Sequence, residues 1–152
     1  MSDFTIVRSQ HIAAPPARVH ALVNDFHEWL AWSPWEDLDP TMAHTYTGPD
    51  AGVGAKQAWV GNSKAGEGSM EIVASSPTQI DVSLAFLKPF KATNNVRLDF
   101  VAANGGTDVT WTMSGQQGAI GRIFYKLLNM EKALGADFEK GLARLKALAE
   151  SA

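Results

Sequence analysis

The chain contains no cysteine among its 152 residues, which excludes disulfide bonds, thiolate metal sites and cysteine nucleophiles together. It also lacks a strong charge of one sign, since its formal net charge is only -3. A surface that attracts nucleic acid is therefore not expected. No apolar run approaches the roughly 18 residues of a membrane span, so stable membrane insertion is not expected either. The first residues, MSDFTIVRSQHIAAP, lack the order of a secretory signal, and a cytoplasmic location is expected.

The first quarter of the chain predicts one strand and two short helices. Residues 4–13 alternate in part between apolar and polar positions, which predicts a strand. Two prolines then open a predicted helix over 16–24, in a position that tolerates proline. Asp25 is typical of a helix cap and predicts a second helix over 26–32. That helix is expected to stop at Pro34, because the residue before a proline avoids the helical region.

From residue 41 onward the apolar pattern changes to a period of two residues, which predicts six further strands. The sequence NGGT at 104–107 is typical of a hairpin turn between the last two of them. After residue 119 the spacing changes to three and four, which predicts a long amphipathic helix over 120–148. The six strands are predicted over 41–47, 56–61, 69–75, 80–86, 93–102 and 108–115.

Successive hairpins imply an antiparallel meander with one apolar face that another element must cover. Seven strands make a sheet roughly 29 Å wide, whereas one helix is only about 10 Å across. The sheet must therefore curve around the helix, and an apolar cavity between them is expected. The predicted fold is a single α+β domain over 1–152. It has a curved seven-stranded antiparallel sheet wrapped around a long C-terminal helix, with two short helices between strands 1 and 2.

Five segments carry a resemblance to a known superfamily: IAAPPARVHALVND (12–25), WLAWSPW (29–35), GVGA (52–55) with Trp59, GGTDVTWTMSG (105–115) and GADFEKGLARLKALAE (135–150). In this order they resemble the START-like or SRPBCC superfamily, and within it the polyketide cyclase/dehydrase-like branch. The resemblance implies the helix-grip fold and a hydrophobic ligand, such as a lipid, a polyketide or an aromatic compound, held inside it. It implies no shared catalytic motif.

The residues expected to line such a pocket are apolar or aromatic and face the predicted interior. Trp29 is expected to be core, whereas Trp32 and Trp35 straddle the helix stop and are interpreted either as core or as pocket wall. In a filled core all of these side chains would only pack together. The predicted ligand-binding residues are Trp32, Trp35, Tyr46, Trp59, Met70, Phe86, Phe90, Leu98, Trp111, Met113, Phe124, Leu127 and Leu128.

Few ionisable residues point to chemistry. Glu36, His44 and Tyr46 are the candidates for moving a proton inside an apolar pocket, although a tyrosine and a histidine satisfied by the backbone at the rim would look the same. Asn94 shares the parity of the inward positions and is a candidate interior hydrogen-bonding group. His20, Asn24 and His27 fall at helical spacing, and we interpret them as a solvated face. Neither a metal site nor a cofactor is predicted.

Three functional hypotheses remain open. The first is a binding or carrier module for a small hydrophobic molecule. The second is an enzyme of the cyclase or dehydratase type that uses the same cavity. The third is an interaction module that resembles the heat-shock-ATPase activators of the same superfamily, with exposed aromatic residues as its partner surface. The sequence leaves open whether the chain forms a homodimer.

Overall fold

The framework of the protein is one antiparallel sheet, seen in a computed structural model that describes residues 2–39, 41–62, 65–88, 91–117 and 130–151. Its strands are β1 (Ser2–Ile12), β2 (Ala43–Thr47), β3 (Lys56–Val60), β4 (Glu67–Ser76), β5 (Gln79–Lys88), β6 (Ala92–Ala103) and β7 (Gly106–Gln117). They are ordered β1-β7-β6-β5-β4-β3-β2. The predicted seven-stranded meander is confirmed, and the first strand pairs with the last.

Each strand buries one face because apolar side chains recur at every second position. In β6, for example, Val96, Leu98 and Phe100 are at most 2% exposed, whereas Arg97 between them is exposed and pairs with Asp81. The alternation predicted from the sequence is therefore confirmed there. The register shifts within β4 increase the local twist, which helps the sheet to curve toward its buried face.

Two short helices and one 3₁₀ helix connect β1 to β2. They are α1 (Pro16–Val23), α2 (Phe26–Trp29) and η1 (Pro34–Leu38). The carboxylate of Asp25 caps α2 as predicted and accepts from the His27 backbone N–H at 2.9 Å.

The end of α2 differs from the prediction. We expected this helix to run to residue 32, but it ends at Trp29. The backbone N–H groups of Ala31 and Trp32 bond to carbonyls three residues earlier, as in a tightened last turn. Pro34 also begins η1 rather than only ending a helix, with Ser33 as its cap. Proline fits a first helical position because it has no N–H to leave unbonded.

The C-terminal helix α3 (Met130–Glu150) packs on the buried face of the sheet, against β1 in particular. Its side chains Phe138, Leu142 and Leu145 are at most 1% exposed and repeat at spacings of four and three. This confirms the predicted apolar stripe over the described part of the helix; residues 120–129 of the prediction lie outside it. No described helix is long and apolar enough to cross a membrane.

A charged cluster fastens η1 to α3. The carboxylate of Asp37 accepts from Arg144 Nη2 at 2.6 Å and from Lys140 Nζ at 2.5 Å. Hydrogen bonds from Arg144 and then Lys140 lower the pKa of Asp37 from 3.8 to about 2. Because the folded-state pKa is below the unfolded value, the stabilisation from this group is complete above pH 3.8 and is lost as the pH falls through about 2.

We therefore expect Asp37→Asn to lower the free energy of unfolding at neutral pH but not in strong acid. The neutral amide cannot replace the two charge-assisted hydrogen bonds. Urea unfolding of both proteins, measured stepwise from neutral pH to about pH 2, should show the difference shrink below pH 3.8. A difference that stays constant across that range would mean that Asp37 acts through packing instead.

Candidate functional site

The end of the fold near α2 is filled by an aromatic cluster, which consists of Trp29, Trp32, Trp35, Trp111 and Phe138. Trp111 of β7 lies at its centre and stacks on Phe138 of α3, with ring centroids 4.4 Å apart and planes 4° apart. The three other tryptophans meet Trp111 edge to face, at 5.6 to 6.2 Å. Such edge-to-face pairs are a favoured aromatic geometry.

Trp29 and Trp32 are fully packed in this cluster. Each indole N–H donates to a carbonyl of α1: Trp29 Nε1 to Val23 at 2.7 Å, and Trp32 Nε1 to Leu22 at 3.0 Å. Both side chains are at most 1% exposed. The prediction that Trp29 is core is confirmed. Trp32 has the environment of a core residue, and Trp35 is partly buried against Trp111 and Phe138.

A second group of residues crosses the buried face as a transverse row, one residue from each strand. It follows the strand pairing from the β2 edge to the β1 edge. Polar side chains occupy its positions on β2, β3 and β6, and the two positions between them, on β4 and β5, are apolar. Its members are Tyr46, Gln57, Met70, Leu84, Asn94, Gly115 and Phe4.

The polar members of the transverse row lie inside the protein. Gln57 is 3% exposed and Asn94 6%. The carboxamide oxygen of Asn94 lies directly over Gly115, where a Cβ would collide with it. The Tyr46 hydroxyl is buried and has no hydrogen-bond partner among the described residues. The sequence predicted that Asn94 and Tyr46 face inward. It did not identify Gln57, although Gln57 is two residues from Trp59 on the same strand and so shares its face.

The environment of Tyr46 disfavours its phenolate. Burial raises the pKa of Tyr46; the nearby Gln57 amide partly offsets this, and the charges of Glu36 and Asp25 raise the pKa further. The Gln57 amide is close enough to lower the pKa, but no described group, Gln57 included, meets hydrogen-bond geometry at this hydroxyl. Tyr46 therefore stays a neutral donor or acceptor at neutral pH.

Two histidines flank the ring of Tyr46, and each is held by a carboxylate. His44 Nε2 lies 3.1 Å from the Glu36 carboxylate and the His44 ring is nearly parallel to that of Tyr46, with centroids 6.3 Å apart. His27 stacks on Tyr46 at 4.0 Å, and its Nδ1 lies 2.7 Å from Asp25. The three residues that the sequence proposed for proton transfer are thus brought together in a partly buried group.

A pocket of about 210 Å³ opens beside Tyr46, between α2 and the turn that joins β2 to β3. This α2–β2 pocket is smaller than the roughly 300–1,000 Å³ of typical ligand sites. Its lining residues are Phe26, His27, Tyr46, Thr47, Gly48, Pro49, Asp50, Ala55 and Lys56.

The remaining predicted pocket residues fall into two groups. Trp59 packs over Gly68 and its ring meets Phe86 edge to face at 5.7 Å; both aromatic side chains are partly buried on the inner face. Met70, Leu98 and Met113 are buried on the same face. Four of the predicted residues lie outside the described part of the chain: Phe90, Phe124, Leu127 and Leu128. The predicted lining as a whole stays a prediction.

One expectation from the sequence is wrong. His20 and Asn24 do not form a solvated face, because both are partly buried and contact Ser75, whose hydroxyl donates to Asn24 Oδ1 at 2.7 Å. His20 also meets Phe100 edge to face; of the three, only His27 is exposed. Exposed aromatic residues are not found: every phenylalanine, tyrosine and tryptophan in the described ranges is buried or partly buried.

The described residues contain no group of three histidine, aspartate or glutamate side chains placed to hold a metal ion. Glu36, His44, Asp25 and His27 form two separate pairs instead. What the site offers is hydrogen bonding and proton transfer at the edge of an apolar interior.

The fold and this interior define a class of protein. The family model described as "Polyketide cyclase / dehydrase and lipid transport" matches residues 3–150. The chain belongs to this family, within the START-like superfamily, and it has the helix-grip fold. No curated protein matches the sequence.

Solved structures of low sequence identity share the fold. A protein from Chromobacterium violaceum is 18% identical with a TM-score of 0.70, and the match covers 97% of this chain and 98% of that one. The Aha1 dimer from Colwellia psychrerythraea is 14% identical with a TM-score of 0.68, covering 97% of each chain. The di-domain ARO/CYC protein BexL, from the BE-7585A biosynthetic pathway, is 17% identical with a TM-score of 0.70. There the match covers 99% of this chain and 51% of BexL.

Proposed function

We propose that the protein binds a small or medium-sized hydrophobic molecule between the sheet and the C-terminal helix, as a carrier or binding module. The observation that carries this proposal is the buried, unpartnered hydroxyl of Tyr46 beside Gln57. Buried polar groups in proteins are almost always hydrogen-bonded, and an unpaired one costs about 1–3 kcal/mol. A ligand oxygen would supply the missing partner.

The surroundings of Tyr46 favour an apolar ligand body. Met70 and Leu84 continue the transverse row, and Trp59 and Phe86 present partly buried rings on the same face. Removing apolar surface from water favours binding by roughly 25 cal/mol per Å² before the costs of association. Membership of a family described by polyketide cyclisation and lipid transport supports the same class of ligand.

We expect Tyr46→Phe to weaken ligand binding about 3- to 10-fold, the worth of one neutral hydrogen bond. The same change should leave the empty protein equally stable or more stable, because it removes an unsatisfied buried group. The ligand is the molecule that native mass spectrometry finds retained by protein purified from its own source. Affinity is measured by calorimetry and stability by thermal unfolding.

Thr45→Val is the matched control, since it removes a hydroxyl from the exposed neighbouring position of β2. Thr45→Val should have the same ligand affinity and the same thermal stability as the unmodified protein. The proposal fails if no molecule is retained and if lipid, polyketide and aromatic libraries give no thermal shift. Equal affinity of Tyr46→Phe and the unmodified protein would remove Tyr46 from the site.

A second candidate function is catalysis of the cyclase or dehydratase type, which the pairing of Glu36 with His44 favours. The Glu36 carboxylate accepts from His44 Nε2–H, which leaves His44 Nδ1 as the basic nitrogen. In an aldol-type cyclisation such a base would take a proton from the carbon between two carbonyls, and that carbon would bond to the carbon of a further carbonyl group. The Tyr46 hydroxyl would hydrogen-bond to the oxygen of that group, which becomes a hydroxyl when the protonated His44 returns the proton. Conversion of a bound poly-ketone, seen by mass spectrometry, would distinguish this enzyme from a carrier that returns its ligand unchanged.

We do not propose an interaction module. Its motivation was a surface of exposed aromatic residues, and the exposed large apolar residues of the described ranges are valines and leucines instead. They are spread over several elements, from Val7 in β1 to Val101 in β6. Single exposed aliphatic residues are normal on soluble proteins and indicate no partner.

A further inference from the structure

The spacing of the polar side chains along the transverse row indicates what kind of ligand the interior could bind. Its polar groups are separated into two parts, with Tyr46 and Gln57 on β2 and β3 and Asn94 on β6. Between them lie only the apolar side chains Met70 and Leu84. Gln57 and Asn94 are three strand spacings apart, which is roughly 14 Å along the sheet and less across its concave face.

Charged side chains near the row are confined to its β2 end, where Glu36 and Asp25 pair with His44 and His27 beside Tyr46. Among the described residues, the buried-face positions of β3 to β7 carry no lysine, arginine, aspartate or glutamate. Arg8 is the basic side chain on the buried face of β1, and it lies four residues from Phe4, roughly 13 Å along the strand. It faces α3 at Gly135 and pairs with Glu139 at 3.6 Å. At the Tyr46 end each histidine is already paired with a carboxylate, and the charges of Glu36 and Asp25 oppose a further negative charge. A ligand carboxylate or phosphate at the row would therefore lose its water without gaining an unpaired cation, which is unfavourable.

We propose that the interior site selects uncharged ligands with a hydrogen-bonding oxygen at each end of an apolar body, one bound by Tyr46 and Gln57 and the other by Asn94. This rests on the proposed function and narrows it. Fatty acids and phospholipids are disfavoured by their charge, and pure hydrocarbons are disfavoured because they leave the Tyr46 hydroxyl unpaired and offer no hydrogen bond to Asn94. A neutral molecule with an oxygen at each end can hydrogen-bond to Tyr46 and Gln57 at one end and to Asn94 at the other.

Three probes with the same ten-carbon body test this: a diol with a hydroxyl at each end, the mono-alcohol and the carboxylic acid as its anion. Binding to the full ¹⁵N-labelled chain is followed by NMR, in which the side-chain NH₂ signals of Gln57 and Asn94 report directly on the two ends. We expect the diol to bind about 3- to 10-fold more tightly than the mono-alcohol, the gain from one added neutral hydrogen bond. The carboxylate should bind most weakly.

Asn94→Leu is the decisive variant, because leucine has nearly the shape of asparagine but cannot hydrogen-bond. It should bring the ratio of the diol and mono-alcohol affinities close to one. Asn95→Leu makes the same change at the next residue, which is exposed on the opposite face, and should leave the ratio unchanged. If Asn94→Leu does not fold, the Asn94 NH₂ signal of the unmodified protein decides, since it must shift with the diol.

The outcomes separate this inference from the proposed function. Tightest binding by the carboxylate, or a ratio that Asn94→Leu leaves unchanged, overturns the inference while interior binding stands. An Asn94 NH₂ signal that does not respond to the saturating diol overturns it as well. If none of the three probes shifts any signal from the interior, both the inference and the proposed binding function fail.

Discussion

Trp111→Ala is expected to lower the free energy of unfolding by about 3–5 kcal/mol, the range for truncating a large buried aromatic residue. Trp111 is fully buried and is the ring that the other members of the aromatic cluster share. Its removal opens a cavity between β7, η1 and α3 that rigid neighbouring rings cannot close. Urea unfolding followed by circular dichroism measures the change.

Trp111→Phe distinguishes the contribution of the packed aromatic ring from that of the indole N–H group. The indole Nε1 of Trp111 is buried without a hydrogen-bond partner among the described residues, so phenylalanine removes an unsatisfied donor while it keeps a ring against Phe138. We expect a loss of about 1 kcal/mol or less, because the smaller cavity and the removed donor act in opposite directions. Equal losses for the two variants would contradict the central place of this ring in the core.

Gly141→Ala is expected to destabilise the protein by up to about 2 kcal/mol, although alanine is the better helix former. The gain in helix propensity is about 1 kcal/mol. A Cβ at this position would lie 2.8 Å from Pro34 Cδ and 3.0 Å from the Trp111 ring. Both neighbours are rigid, and overpacking of this kind costs about 1–3 kcal/mol. Thermal unfolding in the absence of ligand is the measurement.

Gly135→Ala is the matched control in the same helix. A Cβ there meets the guanidinium of Arg8, the far end of a flexible side chain that is 28% exposed. Because this group has room to move, we expect Gly135→Ala to be neutral or to stabilise by up to about 1 kcal/mol. If Gly141→Ala proves as mild as Gly135→Ala, then α3 does not pack as closely on η1 and β7 as the structure shows.

The contacts within the aromatic cluster bear on function because they fill one part of the interior with packed side chains. The aromatic cluster fills one end of the fold, and the ligand site that we propose lies along the transverse row and the α2–β2 pocket instead. Tyr46 belongs to both of the latter. The sequence predicted Tyr46 as a ligand-binding residue and Asn94 as an interior hydrogen-bonding group, and it left Trp32 and Trp35 open between core and pocket; the structure adds Gln57.

Much of the fold was readable from the sequence because its signals are local. The period of two residues in β5 and β6, the capping Asp25 and the NGGT turn each act within a few residues. Asn104 and Gly105 do have the positive φ values, 48° and 78°, that such a tight turn requires. The end of α2 was misjudged because a tightened turn and a helix have the same apolar spacing over three residues.

The sequence by itself determined the class of the molecule: a strand-rich meander, a covering helix too narrow for the sheet, and a family that the motif order resembles. Only the tertiary structure decided which polar groups share the interior. Tyr46, Gln57 and Asn94 lie on three different strands, and they align because of the register of four successive strand pairings. A slip of one residue in any of them would turn its partner to the outer face. Register depends on turns, bulges and packing along the whole sheet, and no local pattern contains it.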